Sequence, residues 1–291
     1  MFSQLFVAGL TNGSLYALVA IGLIVIYKAT NVINFAQGEM LVAGAYLAIV
    51  LAKYTHFPWL TIFLLASVLA GFLGMALERV AYKRIPGDAI RTIVIATLGV
   101  SIAIRGLTRA IWGTVPMTFP PPPWFEGKVL SYGSVLINAQ SLSLTLISAL
   151  IIAGLFSYFR YTRSGQGMVA TAQDALAARL VGISPVRVSV LTWGVSAGLG
   201  GAAGVLLAPL IMVNPDMGLV VIIKAFAAAV IGGLTSLPGA LFGGILLGLV
   251  ESFSGFYIST TLTPLVSFII LIVVLLVKPQ GLFGRKTVSK F

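Results

Sequence analysis

Six stretches of this chain run for about one membrane thickness without a charged residue: Phe2–Tyr27, Trp59–Leu77, Leu142–Phe159, Val188–Val213, Ala225–Val250 and Ser252–Val277. A helix needs roughly 20 apolar residues to cross the hydrocarbon of a bilayer. In lipid the backbone must satisfy its own hydrogen bonds, so such runs are helices. Polar or Gly/Pro punctuation separates them: "NVINFAQGEM", "KYTHFPW", "NPDMG", "LTSLPG" and "SGFYIST". The pattern predicts an all-α polytopic membrane protein, a bundle of about eight to nine transmembrane helices by length. Some are expected to be broken or re-entrant, which apolar length does not distinguish from full crossings.

One segment departs from this pattern. "GMVATAQDALAARLVGISPVR", Gly167–Arg187, reads like a helix of a soluble protein. Val169, Ala172, Leu176 and Leu180 form one narrow apolar stripe at spacings of three and four. Thr171, Gln173, Asp174 and Arg179 point elsewhere, and Gly182 and Pro185 are stop signals. The segment is too short and too polar to span. Two readings fit it equally: a helix lying flat on the membrane, and a cytoplasmic helix that anchors in a groove on a partner.

Charge gives the orientation. There are 18 Lys and Arg against 7 Asp and Glu, a net charge of +11. The basic residues cluster in "ERVAYKRIPGDAIR", in the loop 160–187 and in the tail "KPQGLFGRKTVSKF". Cytoplasmic loops accumulate Lys and Arg, so all three are placed inside. With Lys28 at the inner end of the first span, that makes 13 basic residues inside, against Lys53, Arg105, Arg109, Lys128 and Lys224 outside or near outer span ends. The expectation is one transmembrane domain over 1–291, with its N-terminus outside and its C-terminus in the cytoplasm. The Pro-rich loop 112–140 is then external. The positive charge reflects topology and not nucleic-acid binding. The N-terminus lacks the charged n-region of a cleavable signal peptide.

Catalytic chemistry finds little support. The chain has no cysteine and one histidine, His56, in a predicted external turn. This excludes disulfides and thiolate chemistry. There is no Gly-x-x-x-x-Gly-Lys-Ser/Thr phosphate loop, so ATP should not bind this chain in that way. Polar residues at membrane depth are the informative ones, because lipid disfavours them. Asn12, Ser14 and Tyr16 interrupt the first span, and Asn34, Gln37 and Glu39 follow it; these are candidates for a translocation path. Glu39 fits an unwound stretch beside a substrate route as well as it fits a solvated interfacial turn. Arg105 and Arg109 lie one turn apart on one helix face. They suit snorkelling to the outer interface, or, with Asp216 and Glu251, an outer vestibule that attracts a carboxylate. Glycines four apart, such as Gly9 and Gly13 or Gly244 and Gly248, permit close helix packing.

A resemblance sharpens these expectations. "GLTNGSLYALVAIGLIVIYKATNVINFAQGEMLVAGAYLA" resembles the opening of LivH-type permeases of the branched-chain amino acid ABC transporter family. The matching positions are Gly9, Gly13, Tyr16, Ala17 and Leu18, then Asn34, Phe35, Ala36, Gly38 and Glu39. "AAVIGGLTSLPGALFGGILLGLVES" and "LLVKPQGLFG" also fit, so the likeness runs nearly the full chain. Gln37 departs from it, because many relatives carry His there. The resemblance implies a non-catalytic importer subunit of a bacterial inner membrane, without a cofactor of its own. It implies a second, LivM-like permease, two ATPase subunits holding ATP and Mg, and a periplasmic binding protein. It further implies that Gln173, Asp174, Ala177, Arg179 and Gly182 belong to a coupling helix facing an ATPase. Leucine, isoleucine and valine are the family's typical cargo, and relatives carry urea, short amides or aromatic acids. The alternative class is a secondary transporter driven by an ion gradient, with Asn34, Glu39 and Glu251 as its ion site.

Overall fold

The computed structural model describes residues 2–82, 85, 90–123, 129–132 and 135–284. Lys83, Arg84, Lys128 and the basic residues of the tail beyond 284, all used in the topology argument, lie outside these. The chain folds into eleven helices and one short hairpin among the described residues. In order these are α1 (Phe2–Thr30), α2 (Gln37–Tyr54), α3 (Trp59–Leu77) with a π-helical turn at Glu78–Tyr82, and α4 (Ile90–Trp112). Strands β1 (Val129–Tyr132) and β2 (Val135–Asn138) pair antiparallel, with Val129 opposite Asn138. Then follow α5 (Ala139–Tyr161), α6 (Arg163–Gln173), α7 (Ala175–Leu180), α8 (Pro185–Leu207), α9 (Met217–Gly232), α10 (Leu237–Tyr257) and α11 (Thr263–Val277).

Six of the described helices are long and apolar enough to cross a membrane: α1, α3 with its π turn, α4, α5, α8 and α10. The 18-residue α2 carries Glu39 and Lys53 in its first and last turns. At 1.5 Å per residue, the 16 residues of α9 and 15 of α11 fall short of a 30 Å core. This is a polytopic helical bundle.

α1 is its hub. From Leu15 to Ile26 every residue is buried, as suits a helix apolar all round. It packs on α10, α8, α9 and α5, and α8 in turn seats α2 and α3. The contact between α1 and α10 depends on glycine. A methyl group at Gly13 would stand 2.7 Å from Ile245 Cα, and Gly248 on the facing helix abuts the Gly13 backbone. α4 is the opposite case. It reaches the bundle chiefly through α2 and the π turn, and leaves Ile95, Leu98, Ile102, Leu107 and Ile111 exposed.

The helix expected over 167–187 is two helices. Asp174 leaves the helical region at φ −154° and ψ 106°, and its Oδ1 accepts from the backbone N–H groups of Leu176 and Ala177. Asp174 is thus an N-cap. The apolar spacing runs on across it, which is why periodicity alone reads one element. Gly182 ends α7 in the left-handed region at φ 83°, and Pro185 opens α8 in its first turn.

Candidate functional site

The polar residues at membrane depth gather into three clusters. The first joins α2 and α4. Glu39 opens α2, where Asn34 Oδ1 accepts from the Ala36 N–H just before the helix. Glu39 is 1% exposed. Its Oε1 accepts from Arg105 Nη2 at 2.6 Å, from Arg105 Nε at 3.2 Å and from Ser101 Oγ at 2.9 Å. Its Oε2 is buried with no partner among the described residues. The sequence fits Glu39 to an unwound stretch beside a substrate route or to a solvated interfacial turn; the fold places it, buried, in the first turn of α2. Arg105, for which snorkelling outward was weighed, turns inward because the Glu39 carboxylate lies within reach. One turn on, Arg109 Nη2 donates to Asp216 Oδ1 at 2.6 Å, with both side chains about half exposed. Tyr46 of α2 is buried, its hydroxyl without a partner among the described residues and its ring 5.0 Å from that of Trp112. Thr97, Ser101, Arg105, Thr108 and Arg109 therefore make a polar stripe down the otherwise greasy α4, and its first four members are shielded from solvent.

The second cluster joins α1, α9, α10 and α11. Tyr16 Oη donates to Glu251 Oε2 at 2.8 Å, and Lys224 Nζ donates to the same oxygen at 2.9 Å and to Tyr16 Oη at 3.0 Å. Ser267 Oγ donates to Glu251 Oε1 at 3.0 Å. Glu251 is 6% exposed, and both its oxygens are hydrogen-bonded inside the bundle. A buried charge survives when it is paired and hydrogen-bonded, and this one is both.

The third cluster crosses α1, α2 and α8. Gln37 is fully buried; its Nε2 donates to the Ser196 carbonyl, and its Oε1 accepts from Ser196 Oγ, each at 2.9 Å. Ser196 Oγ also contacts the Gly22 carbonyl at 2.7 Å. A neutral amide therefore pins the start of α2 against two core helices. The remaining path candidates stand apart. Ser14 Oγ donates to the Thr11 carbonyl of its own turn, and Asn12 is half-buried without a hydrogen-bond partner among the described residues.

The coupling candidates lie together on the α6–α7 corner. Gln173, Asp174, Ala177 and Arg179 are exposed, as are the apolar Leu176, Leu180 and Val181. Ala178 is the buried anchor of α7. α6 packs back on α5, α8 and α1, so the corner is fastened to the bundle at its root and free at its tip.

Sequence reasoning did not single out Ser101, Ser196, Ser267 or Glu78, and it counted Lys224 only as a basic residue near an outer span end. Lys224 had a usable signal: a lone cation inside an apolar run needs a partner. Serines are common in spans, and nothing in their spacing marks these three.

An apolar helical bundle with charged side chains buried inside it is a polytopic membrane protein. The comparisons then give the family. The sequence matches the family described as "Branched-chain amino acid transport system / permease component" over residues 5–275. It is 35% identical to the high-affinity branched-chain amino acid transport system permease protein LivH of Salmonella typhimurium, over 99% of this chain and 97% of that one. It is 33% identical to the corresponding BraD protein of Pseudomonas aeruginosa, over 99% and 98% of the two chains. A probable LivH of Methanocaldococcus jannaschii is 28% identical, over 93% and 89%. The chain belongs to this family of ABC permease components, and it is a non-catalytic transmembrane subunit.

Proposed function

We propose that this chain builds part of the translocation path of an ATP-driven importer, for branched-chain or related amino acids delivered by a periplasmic binding protein. The names of its relatives supply the cargo class. The observation that carries the mechanism is the α6–α7 corner. It is too short to span, is capped by Asp174, and holds Leu176, Leu180 and Val181 out of the bundle. Such a tip suits a groove on an ATPase. Two ATPase subunits would hold ATP and Mg, and a homologous permease would complete the path. The orientation keeps the corner in the cytoplasm and the Arg109–Asp216 end outside, in a bacterial inner membrane.

Movement of the corner has a route inward. α6 rests on α8, and α8 carries Ser196, which holds Gln37 at the start of α2, two residues from Glu39. Displacing α6 and α7 then shifts α2 against α4 and re-sorts the Glu39–Arg105 pair. Alternating access of this kind is a change between two packings of rigid elements.

Reconstitution tests the reading. Proteoliposomes holding this chain, the second permease and both ATPase subunits, supplied with binding protein, should take up leucine only with ATP. Uptake by this chain alone, driven by an ion gradient, would favour the secondary-transporter class.

A further inference from the structure

Between α3 and α5, with α8 as its floor, an apolar groove of about 410 Å³ opens on the lipid-facing surface of the bundle. α3 lines it from Phe63 to Met75, α8 from Gly194 to Ala202, and α5 through Ile151. Gly194 and Gly198 leave the floor without side chains. Ser67 supplies a hydroxyl, but its Oγ donates to the Phe63 carbonyl of its own helix. On the rim, Leu64, Val68 and Phe72 are each more than half exposed. The groove thus offers almost entirely hydrocarbon to an occupant.

Its length and the charges at one end narrow the choice of occupant. From Phe63 to Met75 the α3 wall runs about 18 Å at 1.5 Å per residue. That is near the depth of one leaflet, half of a roughly 30 Å hydrocarbon core. A partner's transmembrane helix would need a groove running through both leaflets. Beyond Met75 the same face of α3 continues to Arg79, two turns past Phe72. On antiparallel α8, Arg187 stands two turns before Gly194 on the face that floors the groove. Both arginines are exposed. The two helix ends meet there, because Glu78 Oε1 accepts from Ser189 Oγ at 2.9 Å. Glu78 itself is buried inside the bundle, at 5% exposed.

We propose that this groove seats an anionic phospholipid. One acyl chain lies along α8 between α3 and α5, and the phosphate is held by Arg79 and Arg187. The guanidinium fork matches phosphate oxygens, and basic positions between transmembrane helices collect anionic headgroups. The surrounding bilayer is as apolar as the groove. The chain therefore contributes packing and position, and the arginines supply the selectivity. A lipid seated there bridges α3 to α8, the helix on which α6 rests and which carries Ser196. The inference depends neither on the cargo nor on which side of the membrane the α6–α7 corner faces.

Native mass spectrometry of the purified transporter complex tests this. Released from micelles holding equal amounts of phosphatidylglycerol and phosphatidylcholine with identical chains, the complex should retain phosphatidylglycerol in preference. Arg79→Gln with Arg187→Gln should weaken the tightest phosphatidylglycerol site about ten-fold or more, as loss of two basic residues at an anionic headgroup implies. Gly198→Leu should remove the same site with both arginines in place. A Cβ at Gly198 comes no nearer than 3.4 Å to its neighbours, so the leucine fills the groove without forcing the helices apart. Soluble glycerol phosphate should not displace the lipid at equal concentration, because it lacks the chain. The comparisons between lipids and with glycerol phosphate use the unaltered protein and so do not depend on any variant's folding. Equal retention of the two lipids, displacement by glycerol phosphate, or undiminished binding by either folded variant would overturn the proposal. So would a site found on this chain alone and lost when the second permease joins, since the groove would then hold a helix of that subunit.

Discussion

Glu39 and Arg105 are 66 positions apart in sequence, yet their side chains meet in a buried ion pair at 2.6 Å. Removing one partner of such a pair strands the other, typically at a cost of about 3–5 kcal/mol. Glu39→Gln and Arg105→Gln should each lower thermal stability markedly in detergent, and the double variant should lose less than the sum of the two. Additive losses would show that the side chains act independently. Asp216→Asn, at the half-exposed pair with Arg109, should cost only about 0–1 kcal/mol. The same melting assay reads it. Glu39 and Arg105 stand out in the sequence as charges beside apolar spans, and Arg109 and Asp216 as outer vestibule candidates, but neither pairing is legible there. Hydropathy places a residue along the membrane normal but says nothing of its azimuth on the helix, and that decides which charges meet. Gln37 illustrates the point. Its type was notable beside relatives that carry His, but the backbone of Ser196 that it grips is invisible in any pattern of side chains.

At the scale of elements, the apolar runs foretold the helices well because lipid leaves the backbone no other option. What they did not rank was centrality. α1 and α4 are both long and apolar, yet in the best apolar window 89% of α1 is buried inside the protein and 17% of α4. The difference lies in glycine on one helix and polar spacing on the other. Gly9 and Gly13 let α1 lie against Gly248 and Ile245 of α10 backbone to backbone. Gly13→Val should therefore prevent stable insertion, measured as loss of monodisperse protein after extraction. Gly106→Ala on α4, where an added Cβ meets nothing within 4 Å, should have almost no effect. The corner at 163–180 was legible as a non-spanning amphipathic segment, and its break was not. One side chain, Asp174, caps α7 and thereby stops α6, while the spacing of apolar residues runs on through it. Asp174→Ala should cost about 1 kcal/mol of local helix stability. It should reduce ATP-dependent uptake more than it reduces the amount of folded protein, and equal reductions would deny the corner a coupling role.

For the whole molecule, the proposed mechanism is a bundle moved from one corner. A charge-reversed and enlarged tip, Arg179→Glu with Ala177→Trp, should uncouple ATP hydrolysis from uptake while insertion stays intact. The absence of cysteine from the sequence provides the most direct check. Leu180, 83% exposed at the tip of α7, can become the sole thiol by Leu180→Cys. In sealed vesicles, a membrane-impermeant thiol reagent should label it from the cytoplasmic face only, and assembly with the ATPase subunits should protect it. Labelling from the outside of intact cells, or labelling undiminished in the full complex, would contradict the claim that an ATPase drives this permease through the α6–α7 corner.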